Sequence, residues 1–352
     1  SNDGNGGFAV GGDGSGSSHH ITFEYNESYD NDIGFRIGTP NSTSEADQPT
    51  DITMRYNLAR NNDVSGSSDK GAGFQFHGMQ DSLISNLVAH DNDGDGVLAK
   101  GPHLNDNIFE HIVSYNSARA GIRIGDIAPA LGDTNAAGQN NVLRYSVAFN
   151  NQRNGIVDGD NAVNTAHYNN LAIKNNLEER GDGWGYLFLS KAGTEAFLPT
   201  GATMLNSASY DSGSAQDVFL RTSSDPVNFS DYNFVEDGNT PGSLAGNGAW
   251  DQHSATGQNP LFSNPDSILV DTNLFSNVAA RAVNRDFGVV TGGLDFQNNT
   301  SPLINNGAII DGYHCPVSAN ANPDQVGCKL WWGTAPEIGP FEYTASSGGS
   351  SG

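Results

Sequence analysis

A four-residue phrase recurs along the first half of the chain: glycine, an apolar residue, any residue, and a second apolar residue. Its glycines stand at 7, 34, 73, 96, 121, 155 and 185, and its clearest copies are Gly34-Phe35-Arg36-Ile37, Gly73-Phe74-Gln75-Phe76 and Gly121-Ile122-Arg123-Ile124. Successive glycines are 23 to 39 residues apart. Self-similarity at such a period marks a chain built from stacked units, each burying its apolar face only against its neighbours. A second short stretch precedes most phrases, as in TDITMRYNLARNN and NDNIFEHIVSYNS, and it alternates apolar with polar residues as a half-buried strand does. These stretches end in a column of Asn or Asp: Asp30, Asn61, Asp91, Asn116, Asn150, Asn175 and Asp211. Short polar side chains at such bends favour turns, and they can hydrogen-bond from one unit to the next.

Two or three short strands per unit with a polar bend between them predict an all-β chain, a right-handed parallel β-helix of roughly eight to ten coils. An antiparallel β-sandwich has no need of the same phrase seven times. One domain is expected over residues 1–343, regular over 1–235 and less regular over 236–343, with a flexible tail at 344–352. The segments TPNSTSEADQP and IAPALGDTNAAGQ fall in two of the longer steps and are expected to project as loops. The first coil begins almost at residue 1 without a capping helix. An open solenoid end invites edge pairing, so the chain is expected to be linked to further domains in a longer parent.

Charge narrows the function classes. Sixteen Lys and Arg stand against 40 Asp and Glu, a net charge of −24. That excludes a nucleic-acid binder, whose affinity comes from neutralising phosphates, and a surface that seeks anionic lipid. No apolar stretch is long enough to span a bilayer. The lone pair Cys315 and Cys328 reads as a local disulfide, hence an oxidising compartment and a secreted protein. Trp331-Trp332 beside it reads as a lid over the solenoid end, and His19-His20 as structural.

Within the phrase the two apolar residues point inward and the residue between them points out. That outward column is Ala9, Arg36, Gln75, Leu98, Arg123, Val157 and Leu187, and two residues further on stand Gly11, Gly38, His77, Lys100, Gly125, Gly159 and Leu189. Arg36, Gln75, His77, Lys100 and Arg123 then share one face over four coils. In so acidic a chain, their collection is the most informative feature of the sequence. Solvated side chains, or Arg and Lys paired with Asp of the next coil, would suit the same positions.

Residues 93–124, DGDGVLAKGPHLNDNIFEHIVSYNSARAGIRI, resemble the family 9 pectate lyases. That family carries an Asp-Gly-Phe-x-x-Lys phrase, then Asp-Asp-Gly-Trp-Asp, then Gly-Phe-Lys-Leu-Gly-Gly; its carboxylates hold calcium and the last Lys is the base. The resemblance places Asp95 at the first calcium carboxylate and Lys100 at the Lys of the first phrase. Arg119, Ala120 and Arg123 fall where three calcium carboxylates are expected, and Val157 falls on or near the base. GNGGFAVGG at 4–12 is similar to the base phrase, with Ala9 at the Lys position. SDYNF, NPLFSNP, TSPLINNGA and EIGPFEY in the C-terminal part resemble closing segments of secreted β-helix proteins.

The expected function is β-elimination on an acidic, uronate-containing polysaccharide. Lyase chemistry removes the proton at C5 of a uronate and expels the 4-O substituent, which requires the carboxylate to be neutralised and a base to take the proton. Lys100, Arg123 and His77 are the candidate catalytic residues, and Arg36, Gln75 and Arg119 the candidate substrate-binding ones. Asp93, Asp95 and Asp126 are the candidate calcium ligands, since calcium prefers clustered carboxylate and carbonyl oxygens. A non-catalytic glycan-binding or structural solenoid is the alternative. A glycoside hydrolase using two of Asp126, Asp158 and Asp182 is the second, because hydrolysis needs a pair of carboxylates across the scissile bond.

Overall fold

The protein is described by a computed structural model. The residues described are 6–11, 18–38, 48–63, 71–125, 138–159, 162–177, 183–189, 201–212, 218–220, 227–235 and short pieces between 255 and 331. They form strands and no helix. The two large sheets are parallel throughout, and the chain is a right-handed parallel β-helix.

The repeated phrase forms one sheet of eight strands, in sequence order Gly6–Val10, Ile33–Gly38, Phe74–His77, Val97–Lys100, Ile122–Ile124, Ile156–Gly159, Tyr186–Leu189 and Val218–Leu220. Its register is the one the repeat implies: Ala9 pairs with Arg36, Arg36 with Gln75, Gln75 with Leu98, Leu98 with Arg123, Arg123 with Val157 and Val157 with Leu187. The alternating stretches form a 14-stranded sheet that includes Thr53–Arg60, Leu83–His90 and Ile108–Tyr115.

Among the described residues, the coils from His20 to Lys174 each bend at three places on a residue with positive φ. One column holds Asp51, Asp81, Asp106 and Asn140, a second holds Tyr56, Asn86, His111 and Tyr145, and a third holds Asp30, Asn61, Asp91, Asn116, Asn150, Lys174 and Asp211, all with φ between 48 and 57°. Left-handed backbone is costly for most L-residues and least so for Asn and Asp. The polar column read from the sequence is this turn column, except that Asn175 belongs one place later, and it bonds from coil to coil where Asn116 Nδ2 donates to Asp91 Oδ1 (3.1 Å); a second, buried ladder stands beside it. The ladder runs through the next residue of each coil. Asn31 N–H donates to Asn62 Oδ1 (3.3 Å), and Asn62 donates through N–H and Nδ2 to Asn92 Oδ1 (3.2 and 2.9 Å). Beyond it, Ser117 N–H donates to Asn151 Oδ1 (3.0 Å), and Asn151 in turn to Asn175 Oδ1.

The ladder explains the glycine of the phrase. A Cβ at Gly73 would stand 2.8 Å from Asn92 Nδ2 and 2.7 Å from the Gly96 carbonyl oxygen, and one at Gly121 would stand 2.5 Å from Asn151 Nδ2. Only a residue without Cβ lets the strand lie against the amide stack. Inside the coils, apolar residues align with their equivalents: Phe8, Phe35 and Phe74 stack with ring centroids 4.9 Å apart, close to the spacing of paired strands.

On the third side of the coil, the residues facing away from the lumen are apolar too. Leu58, Val88, Val113, Val147 and Leu171 form a second cluster with Phe262, Ile268, Val270 and Leu303. These described residues of the C-terminal segment therefore lie along the outside of the solenoid. Lys174 ties it down through ion pairs to Asp211 (3.2 Å) and Asp266. Cys328 lies outside the described residues, as does Trp332; Cys315 lies in the short parallel strand His314–Pro316, opposite Leu330.

Two predictions follow from this packing. Asn151→Ala would strip the Ser117 N–H of its acceptor and the Ser114 carbonyl of a donor inside the wall, and is expected to cost about 3 kcal/mol. Asn150→Gly, one residue earlier in the turn column, is expected to stay within about 0.5 kcal/mol. Urea midpoints of the two variants check the assignment. The second prediction is loss of stability in alkali. Burial, helped by the charge of Asp91, pushes the Tyr115 hydroxyl up to about 12, and burial in the wall raises Tyr186 further. Lys174 is raised as well: burial lowers it, but its bonds to Asp266 and Asp211 outweigh that. All three groups keep their protons in the folded chain to higher pH than in the unfolded one, where they titrate near pH 10. Stability should therefore hold up to about pH 10 and fall above it. The melting temperature followed from pH 8 upward tests this, and Tyr115→Phe should flatten the decline.

Candidate functional site

The sheet of repeated phrases brings together Arg36, Gln75, His77, Lys100 and Arg123 of the residues selected from the sequence. Arg36 and Gln75 are paired neighbours on adjacent strands, and so are His77 and Lys100. Gly38 heads the second column beside His77; its φ is +93° and a Cβ there would stand 1.7 Å from the His77 carbonyl oxygen, so the backbone can turn away from the strand only at a glycine.

The face is less open than alternation alone implies. Gln75 is 3% exposed, His77 5% and Lys100 7%, whereas Arg36, Arg119 and Arg123 are half-buried. The end of a segment expected to project packs beside this strand instead. Gln48, at the end of that first loop, is buried, and its side-chain oxygen lies 2.4 Å from where a Cβ on Gly78 would stand. The same Cβ would stand 2.8 Å from the carbonyl oxygen of Pro102. The turns at 48 and 102 thus close over the end of the strand that carries His77. The rest of the two long loops lies outside the described residues.

Asp95 occupies the column immediately before the glycine of the phrase, with Ala120, Asn154 and Trp184 in the following coils. Its Oδ1 accepts the Ala120 N–H at 2.9 Å. Asn154 Oδ1 accepts the Trp184 N–H at 2.9 Å in the same way. Asp95 is thus first a cap for the next coil, a task an amide performs equally well two coils later. Its other oxygen, Oδ2, stands 3.4 Å from Arg123 Nε, with the two side chains 4% and 16% exposed.

These contacts do not fit a calcium ion at Asp95. Calcium takes six to eight oxygens, and both oxygens of Asp95 already face donors. Asp93 is exposed, and Asp126 lies outside the described residues. Among the described residues, no group of three His, Cys, Asp or Glu side chains is arranged to hold a metal.

Asp158 corrects the hydrolase expectation. It stands in the inward column, paired with Ile124 and Phe188, and is 1% exposed. Its Oδ2 lies 3.4 Å from Nε2 of the fully buried His167, whose ring meets Tyr186 and Phe188 edge-on. A carboxylate inside the lumen cannot flank a glycosidic bond outside it. Asp182 lies outside the described residues.

The same side of the solenoid holds residues that sequence reasoning passed over. Arg153 donates its backbone N–H to the Arg119 carbonyl (3.3 Å), and Arg119 donates to Gly94 (3.3 Å), so the two arginines occupy one column on adjacent coils. Both stand two places before the glycine of their phrase, and counting back from Gly121 and Gly155 would have found them. Trp184, Val157, Leu187 and Ala120 form an apolar cluster of their own, separate from the lumen.

Comparison with known proteins supports the architecture. No protein-family model matches the chain, and no curated protein matches it. Among solved structures, pectate lyase Pel9A superposes with a TM-score of 0.52 at 18% identity, covering 96% of this chain and 68% of its own. The periplasmic alginate epimerase AlgG gives a TM-score of 0.39 at 16% identity, over 58% of this chain and 43% of its own. The A-module of mannuronan C-5 epimerase AlgE4 from Azotobacter vinelandii gives 0.36 at 16% identity, over 57% and 55%. The likeness to the pectate lyase is one of fold: the chain is a right-handed parallel β-helix.

Proposed function

We propose that this chain is a secreted protein that binds an acidic, uronate-containing polysaccharide on the outer side of the eight-stranded sheet and cleaves it by β-elimination. One observation supports the reading above the rest. In a chain with only 16 basic residues, Arg36, Lys100 and Arg123 fall on neighbouring strands of one sheet, with Gln75 and His77 between them. Guanidinium groups bind carboxylates through two parallel hydrogen bonds and withdraw charge from them. In the proposed reaction Arg123 and Arg36 hold uronate carboxylates, which acidifies the proton on C5. Lys100 or His77 accepts that proton, the C4–O bond breaks, and a C4=C5 double bond forms as the 4-O substituent leaves with a proton. Gln75 and Arg119 orient the sugar. No step passes through calcium, because the residues around Asp95 do not fit it.

A specific observation favours a second reading, a non-catalytic glycan-binding solenoid: Lys100 and His77 are both nearly covered. A base must come within hydrogen-bond reach of the proton it removes, and side chains covered to this extent do not present their nitrogens to a polymer lying on the outer face. The glycoside hydrolase reading loses Asp158 to the lumen and keeps no described pair of carboxylates.

The test is the ultraviolet absorbance of the unsaturated uronate product on a panel of pectate and alginate polymers. Wild-type protein is expected to generate it, with Lys100→Ala or His77→Ala lowering kcat by at least ~100-fold, the range of a lost acid–base group. Absence of unsaturated product on every polymer, with binding retained, would leave the glycan-binding reading.

A further inference from the structure

We propose that His103 is the residue that gives the leaving 4-O group its proton. The inference rests on the proposed lyase reading and deepens it, since elimination needs a proton donor at O4 as well as a base at C5.

The backbone singles this residue out. Among the described residues, positive φ at a non-glycine residue falls in one of the three bend columns, which stand five residues apart within a coil, as at His20, Tyr25 and Asp30 or at Asn140, Tyr145 and Asn150. Only His103 and Asn176 stand outside those columns, with φ of 63 and 64°. Asn176 is buried, and asparagine is among the residues that best tolerate this conformation. His103 is half-buried and carries a side chain suited to proton transfer. Left-handed backbone outside its usual places gathers at functional sites.

The preceding coil shows what the backbone itself requires. Gln80 and Asn105 face each other in a bridge, and two residues before them stand Gly78 and His103, with φ of 57 and 63°. Met79 and Leu104, which follow, are both fully buried. A glycine therefore serves that turn in one coil, and an imidazole takes its place in the next. Counted from the paired residues His77 and Lys100, the second coil is also longer by two residues, Gly101 and Pro102. This longer turn is fixed at both ends: Gly78 N–H donates to the Lys100 carbonyl (3.1 Å), and Asn105 N–H to the Met79 carbonyl (3.0 Å). His103 thus stands three residues beyond Lys100 at the end of the outward column, and it is more exposed than Lys100 or His77.

An imidazole has two ring nitrogens, so a contact at one orients the ring while the other serves the reaction. In the proposed step the base takes hydrogen from C5, and the C5–H electron pair becomes the second bond of C4=C5. The C4–O pair leaves with the oxygen. The imidazolium of His103 gives that oxygen its proton and is left neutral, and both groups are reset by exchange with water.

His103→Gly tests the assignment, because Gly78 shows that the turn accepts a glycine. On a pectate or alginate polymer the variant is expected to melt with the wild type and to lose at least ~100-fold in kcat, the range of a lost acid–base group, with KM little changed. Free imidazole in the assay should restore part of the rate. The alkaline fall of the wild-type pH profile, where a donor loses its proton, should be absent from the variant. A synthetic uronoside with a nitrophenolate as its 4-O substituent sheds that group without a proton, so on it the variant and the wild type should agree within a few-fold. His103→Asn, which also tolerates positive φ, should match His103→Gly but without the rescue. Polymer cleavage by either variant at the wild-type rate would overturn the assignment. So would an equal loss on both substrates, a loss that imidazole leaves untouched, or an early melt in both variants. The outcomes separate the two readings. If the wild type forms unsaturated product and the variants keep pace with it, only the role of His103 falls. If the wild type forms none on any polymer, the lyase reading falls and the donor with it.

Discussion

The stacked side-chain amides of the coil corner are the interaction on which the rest of the structure depends. A parallel solenoid must bend its backbone several times per coil, and every bend leaves N–H and carbonyl groups outside the strand ladder. Here Asn62, Asn92, Asn151 and Asn175 meet that demand inside the wall, each amide serving the backbone of an adjacent coil. The stack dictates the sequence around it. Its amide nitrogens stand where a Cβ of the neighbouring strand would fall, which is why Gly73, Gly121 and Gly155 recur in the phrase. The same sites touch Ala89, Ala148 and Ala172, small residues for the same reason. Glycine, alanine and asparagine thus form a single packing unit, repeated coil after coil.

That unit also sets the chemistry available outside. A strand that begins on a glycine locked against the ladder has its next residues committed to alternating in and out, with a fixed partner on each side. Arg36, Gln75, Leu98 and Arg123 are aligned by the same register that aligns Phe35, Phe74, Val97 and Ile122 in the lumen. The site is therefore rigid by construction, its side chains spaced by the distance between strands. Only the turns and loops that close over it are free to differ from coil to coil.

This division accounts for what was legible in the sequence. The fold and the register of the eight-stranded sheet could be read because they repeat: one phrase, seen seven times, fixes which residues are neighbours. The buried ladder was not distinguished from the turn column one residue earlier, because the turn position and the ladder position both select Asn, for different reasons. One tolerates positive φ and the other supplies a buried amide, and at Asn61-Asn62 and Asn150-Asn151 the two are the same residue type. The burial of His77 and Lys100 was not legible, because alternation along the strand marks both as outward-pointing and says nothing of what lies over the sheet. Asp95 was open to misreading because a turn cap and a metal ligand ask the same thing of a carboxylate, an oxygen at a fixed place. Asp158 carried its own signal: it fills the second apolar slot of Gly155-Ile156-Val157-Asp158, so alternation already sends it inward, toward His167.

The charge of the whole chain and the charge of the site act at different ranges. At −24 the protein repels a polyanion at a distance, and this long-range field is screened beyond about 8–10 Å at moderate ionic strength. The Asp95–Arg123 contact is shorter than that and partly buried, and a contact between Arg123 and a carboxylate in the proposed complex would be too, so salt would weaken them less. Added salt thus lowers the barrier to approach before it costs the bound state its contacts. A strongly acidic solenoid with a few arginines on one face is accordingly suited to an acidic polymer in a saline medium. In fresh water the same arginines would meet that polymer rarely, because the rest of the surface would keep it away.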